Sequence, residues 1–140
     1  MVDERLRREG IRNEASIICA GSIRSSADAA KAIALGADAV AISTAALITL
    51  GCHLCQQCHT GNCSWGITSQ RAELTRRLDP AVRSEMAANL LHAWTEEIKE
   101  ILGALGVNAV ESLRGSRDRL RGINLGREML EVLGVKHVGE

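Results

Sequence analysis

The sequence predicts an α/β fold with parallel strands, and three observations predict it. Residues 16–20 and 38–42 are short apolar runs containing β-branched residues, the pattern of strands buried on both faces. Between them Ala27, Ala30, Ile33 and Ala34 recur at helical spacing, with Ser25 or Ser26 suited to cap the start and Gly36 to stop it. Beyond Pro80 a single long helical period runs to Gly103. Strand, helix, strand at this spacing is a βαβ unit, whose strands lie parallel and are joined by a right-handed crossover.

The elements follow in order. Residues 3–9 are charged and helix-permissive but bury little by themselves, so they read as a frayed helix end or an arm. The first strand closes at Gly21, and the second leads into a short helix over 44–50 that delivers the chain to Gly51. Residues 70–78 allow one or two helical turns. After Pro80, the positions Ala87, Leu90, Leu91, Trp94, Ile98, Ile101 and Leu102 form one apolar stripe. The remainder reads as two short helices, near 108–114 and 126–133, joined by an arginine-rich turn; Arg114, Arg117, Arg119 and Arg121 could bind an anion, but a solvated turn with Glu111 and Asp118 beside it is the favoured reading. Cys19, inside the first strand, reads as a core residue, and His92 as a surface one.

Composition bounds the function. The 140 residues make room for one domain. Lys plus Arg equals Asp plus Glu at 17 each, so there is no basic field for nucleic acid or an anionic membrane. Two Trp and no Tyr or Phe leave no stacking platform for single-stranded nucleic acid. The longest nearly apolar run, 39–52, is too short to span a bilayer, and the charged N-terminus lacks the apolar core of a secretory signal. The expected location is the reducing cytoplasm, where clustered cysteines bind metal or do redox work more often than they form disulfides.

Such a cluster is present. GCHLCQQCHTGNCSWG at 51–66 holds Cys52, Cys55, Cys58 and Cys63 at C-x2-C-x2-C-x4-C spacing. This is close to the C-x2-C-x2-C-x3-C run of bacterial ferredoxins, one residue longer and without the proline after the last cysteine. Thiolates are soft anionic ligands suited to iron–sulfide and to zinc. Structural zinc usually pairs two ligand couples across a dozen or more residues, and no second couple lies outside the loop. A redox dithiol at Cys52 and Cys55, or at Cys55 and Cys58, does not open a helix directly after a strand as such sites do. Spacing favours iron–sulfur while leaving zinc, a dithiol and inert cysteines open.

The second chemical candidate is the pair of strand ends, CAGSIRSS at 19–26 and AISTAA at 41–46. In a parallel α/β architecture ligands sit beyond the carboxyl ends of the strands, where helix N-termini attract phosphate. Gly21 admits close backbone approach, Ser22 and Ser43 add hydroxyl donors, and Arg24 adds charge. The same small residues also serve any tight turn.

Taken together, the two strand ends, the short helix TAALITLGC, the loop CHLCQQCHTGNCSWGITSQ and the tail ESLRGSRDRLR resemble the C-terminal part of the FMN-binding synthase domain of glutamate synthases, the ferredoxin-dependent, bacterial and archaeal-type proteins. The resemblance runs from about residue 16 onward. It implies that Cys52, Cys58 and Cys63 ligate a 3Fe–4S cluster. Cys55 is additional to the family pattern and would make the cluster 4Fe–4S if it joined. Ser64 stands where the family usually has proline, and Ala20, Ser22 and Ser43 stand where glycines are common. The resemblance also implies a (β/α)8 TIM-type barrel whose last two βα units lie at 16–50, followed by the cluster loop at 51–70 and C-terminal helices at 71–140. Gly21, Ser22, Ser43 and Thr44 then hold the FMN phosphate.

A whole barrel takes roughly 250 residues, so the resemblance implies a partial domain completed by the rest of the barrel or by another subunit, and inactive alone. Electrons from a ferredoxin-like donor would pass through the cluster to FMN for reductive amination of 2-oxoglutarate to glutamate. No residue here is expected to act as acid, base or nucleophile. The rival reading is a non-catalytic zinc or iron–sulfur module for electron carriage or docking.

Overall fold

The computed structural model describes residues 1–140. Its centre is the expected βαβ unit: β1 (Ile18–Ala20), α2 (Ser26–Ala34) and β2 (Ala39–Ala41), preceded by α1 (Val2–Arg8). The strands pair in parallel, Ile18 with Ala39, Cys19 with Val40 and Ala20 with Ala41. Next come α3 (Thr44–Thr49), the cysteine loop and α4 (Ala72–Thr75), then the long α5 (Pro80–Ala104). The chain closes with α6 (Val110–Leu113), β3 (Arg121–Gly122), α7 (Arg127–Leu133) and β4 (Lys136–His137). The two-residue strands β3 and β4 form a second parallel pair that the sequence pattern does not announce.

Local chemistry explains the helix boundaries. Ser25 lies in extended conformation and its hydroxyl accepts the Asp28 N–H, so Ser25 and not Ser26 caps α2. The Ser26 hydroxyl instead donates to Glu97 on α5 at 2.5 Å. Asp79 caps α5 by accepting the Ala81 N–H at 3.0 Å, with Pro80 at the first helical position, where a missing N–H costs nothing.

The core is small and aliphatic. Ala30, Ile33 and Ala34 of α2 meet Leu102 of α5 and Leu113 of α6, with Val40, Ile98, Ile101 and Leu120 packed around them. Alanines on α2 let the α5 backbone come close. The expectation of strands buried on both faces is not met: Ile18 is 67% exposed, and in both strands only the middle residue is partly covered, including Cys19. The physical reason is the sheet itself. With two strands, one face packs on α2 and the outer edges and other face meet no partner. The stripe on α5 is likewise only part covered, with Leu91 52% exposed. No helix is long and apolar enough to cross a membrane.

Two further expectations are corrected by an ionic clasp. Residues 3–9 are no loose arm, because Asp3 is buried at 3% exposure. It accepts from Arg12 Nε at 2.6 Å, Arg7 Nε at 3.0 Å and Arg117 Nη2 at 3.0 Å. The Arg114–Arg121 turn is not simply solvated, since Arg117 also reaches Glu4 at 2.8 Å and the Leu35 carbonyl, while Arg114 reaches Asp38 at 2.5 Å. Arg12 uses all three of its guanidinium nitrogens: besides Asp3 it donates to Asp38 at 2.8 Å and to the Ala15 and Gly36 carbonyls. At Gly36, φ is +112° and an added Cβ would collide with the Asp3 carboxyl, so the turn requires glycine.

Burial pushes the Asp3 carboxyl up, and its hydrogen bonds from Arg12 and Arg7 outweigh that and leave it below the usual range. Asp38 is held at about 2, first by the Ile17 N–H at 2.7 Å and then by Arg12. Asp28 is held at about 2 by Lys31, the Arg24 N–H and Ser25. These depressed carboxyls sit below an unfolded value of about 3.9, so their stabilisation is complete above about pH 4 and is lost as the pH falls towards about 2. The urea midpoint should therefore drop between pH 4 and 2, and Asp38→Asn should flatten that drop; an unchanged acid limb in the variant would contradict the clasp.

Candidate functional site

The carboxyl ends of β1 and β2 open into a cleft of about 110 Å³ lined by Gly21, Ser22, Ile23, Arg24, Ala41, Ser43 and Thr44. All four residues singled out for phosphate therefore share one cavity. Its size is well below the roughly 300–1,000 Å³ of a site that encloses a drug-sized ligand. It suits a phosphoryl group and not a whole flavin nucleotide. Open space lies where a Gly21 side chain would be. Ser22 has φ of 56°, a left-handed conformation that glycine adopts without cost. Ser43 does not spend its hydroxyl on capping α3.

From this cleft α3 carries the chain to the cysteine loop. Six helical residues rise roughly 9 Å, so this cleft and the loop are neighbours along one short element. Within the loop the four cysteines are free, and they occupy different environments. Cys63 is buried, Cys52 is part buried, and Cys55 and Cys58 face solvent. No three side chains are gathered as a ligating group.

Cys63 is the anchored end. The neighbouring Thr68 backbone amide first, then those of Trp65 and Ile67 and the Thr68 hydroxyl, favour the thiolate and outweigh burial, drawing the thiol down to about 7. The Leu54 N–H points at Cys52 Sγ at 3.4 Å. N–H groups aimed at sulfur are the surroundings in which thiolates hold metal and in which cluster potentials are tuned. Leu54 and Gln56 take left-handed φ of 56° and 59°, which turns the backbone sharply between Cys52 and Cys58. The donor set fits an iron–sulfur group in chemistry: four thiols in one loop, an amide donor on Cys52, and no aspartate or glutamate between Asp38 and Glu73 to favour a hard cation.

Sequence reading missed the residues that shape this loop. His53 packs its ring on Trp65, with centroids 4.6 Å apart and planes inclined by 54°, joining the two ends of the loop. Arg77 donates to the Ser64 carbonyl at 3.1 Å and ties the segment after the loop back to it. At Gly66 a Cβ would collide with the Leu74 carbonyl, so α4 lies directly on the loop. The available signal was the missing acidic residues beside several arginines.

The chain was compared with known proteins. Residues 1–108 match the family model described as the conserved region in glutamate synthase. The chain belongs to the glutamate synthase family. It is 63% identical over 139 residues to the archaeal glutamate synthase (NADPH) of Methanocaldococcus jannaschii, covering 99% of this chain and 27% of that protein. It is 62% identical over 140 residues to the archaeal-type glutamate synthase (NADPH) of Thermotoga maritima, covering 100% and 28%. The ferredoxin-dependent glutamate synthase 1 of Arabidopsis thaliana is 35% identical over 112 residues, covering 80% of this chain and 7% of that protein. The chain thus spans little more than a quarter of the length of the archaeal-type relatives it matches.

The glycine geometry gives a test of the loop packing. Gly66 and Gly61 have similar φ, +73° and +68°, but only Gly66 has backbone in the way of a Cβ. Both Gly→Ala changes carry the left-handed penalty, so Gly66→Ala should cost about 1–3 kcal/mol more than Gly61→Ala by chemical denaturation. Equal losses would mean that α4 does not rest on the loop.

Proposed function

We propose that this chain is the cluster-carrying and phosphate-holding part of a glutamate-synthase-type flavoenzyme. The observation that carries the reading is the adjacency just described: a small hydroxyl-lined cleft at two parallel strand ends, and a four-thiol loop one short helix away. Cys52, Cys58 and Cys63 hold a 3Fe–4S group, with Cys55 at hand as a fourth ligand. Gly21, Ser22, Ser43 and Thr44 hold the FMN phosphate through backbone and hydroxyl donors. The two cofactors supply electron transfer and the hydride-level reduction of the imine of 2-oxoglutarate, giving glutamate.

The chain's own residues position these groups and tune them. Cys63 would be the buried ligand of the set, its place fixed by burial before the others close. The exposed Cys55 and Cys58 lie in the loop between Cys52 and Cys63, where Cys58 would be a ligand and Cys55 could join it. The unpaired edges of β1 and β2 take up neighbouring strands of a (β/α)8 barrel, supplied by the rest of the synthase or by another subunit. The remaining flavin contacts and the 2-oxoglutarate site lie on those strands.

Identity favours one electron source over the other. The relatives at 60–63% carry NADPH in their names, and the plant relative named for ferredoxin stands at 35%. We therefore place NADPH, and not a ferredoxin-like donor, at the head of the electron path.

Serine replacement separates the ligands. After anaerobic loading with iron and sulfide, Cys52→Ser, Cys58→Ser and Cys63→Ser should each lose most of the sulfide-to-iron absorption, while Cys55→Ser should keep it. Full absorption in Cys58→Ser or Cys63→Ser would contradict the assignment.

A further inference from the structure

We infer that Arg83 is a built-in counter-charge of the cysteine loop and sets the redox poise of the group held there, an inference that rests on the cluster reading above. Arg83 lies on the first turns of α5, four residues after Asp79, the spacing at which a helix ordinarily forms an ion pair. That pair is absent. Asp79 caps the helix through the Ala81 N–H, and the Arg83 guanidinium lies instead over Gly51, with Nη1 3.2 Å from where a Gly51 side chain would begin. Its one polar contact is Met86 Sδ at 3.4 Å, a weak acceptor.

Arg83 is a half-buried residue without an anion, and its guanidinium is set against the residue before Cys52. At the opposite end of the βαβ unit Arg7, Arg12, Arg114 and Arg117 reach carboxylates, whereas Arg77 beside the loop reaches only the Ser64 carbonyl. The segment from Ala39 to Ala72 contains no carboxylate at all. The anions that this segment acquires are the thiolates of the loop and the cluster they bind. Reduction adds one further negative charge there, and a nearby fixed cation favours the reduced form and raises the potential. Gly51 has no side chain to hold the guanidinium away, so the charge sits close to the ligand-bearing turn.

The test uses the 140-residue chain, loaded anaerobically with ferrous iron and sulfide and titrated against applied potential by EPR. Arg83→Gln should retain iron and sulfide and shift the oxidised-to-reduced ratio at fixed potential about tenfold towards oxidised, about 59 mV for a one-electron couple. Arg83→Lys should stay near the parent value. Lys99→Gln, on the same helix but paired with Glu96, should not move it. A loaded Arg83→Gln that titrates with the parent chain overturns the inference and leaves the cluster reading standing. If Arg83→Gln fails to load, Arg83→Lys loaded at the parent potential supports the charge, and failure of both overturns it. Parent chain that takes up zinc and no sulfide overturns the cluster reading itself, and the inference with it.

Discussion

The carboxylate–guanidinium clasp around Asp3 and Asp38 is the interaction on which the rest of the arrangement depends. Asp38 opens β2, accepts the Ile17 N–H at the mouth of β1, and takes Arg12 and Arg114 on its other lone pairs. One side chain therefore fixes the register of the two strands and ties it to the C-terminal tail. Buried Asp3 adds the N-terminal helix through Arg12 and Arg117. A buried charge is tolerated only when it is fully paired, and here three guanidinium groups surround one carboxylate. With register fixed at this end, the strand ends at the other end, the cleft and α3 follow.

The two ends of the βαβ unit have opposite electrostatics. One end is saturated with paired charges and binds itself together. The other has hydroxyls and thiols, with no carboxylate among the residues lining the cleft or between Ala39 and Ala72, and in our reading it takes anions. A phosphate and a thiolate-bound cluster are both anionic, and both fall at this end in our reading. The aliphatic, aromatic-poor core between them is thin, because α2 and α5 meet through alanines and few large residues. Exposed Ile18 and the open strand edges suggest by their chemistry a surface meant to be covered, which agrees with proposed completion by further strands.

The sequence was a good guide where local rules decide. The helices at 26–34 and 80–104, the short helix after β2 and the parallel order of β1 and β2 were legible from period, caps and Gly36. Grouping of Gly21, Ser22, Ser43 and Thr44 was legible too, since parallel topology forces both strand ends to one side. Burial was misjudged because an apolar run signals a covered strand without saying which chain covers it, and Ile18 has no neighbour here. Asp3, Arg12 and Arg117 were missed for a different reason: their pairing spans up to 114 positions, beyond any periodic signal. The Arg83–Gly51 and His53–Trp65 contacts are equally non-local in character and depend on the path of a loop.

In the proposed function the four-thiol loop holds iron and sulfide. Elemental analysis of the parent chain purified without oxygen tests it most directly. The account predicts acid-labile sulfide in rough proportion to iron, a brown colour and little zinc. Colourless protein with about one zinc per chain and no sulfide would contradict it.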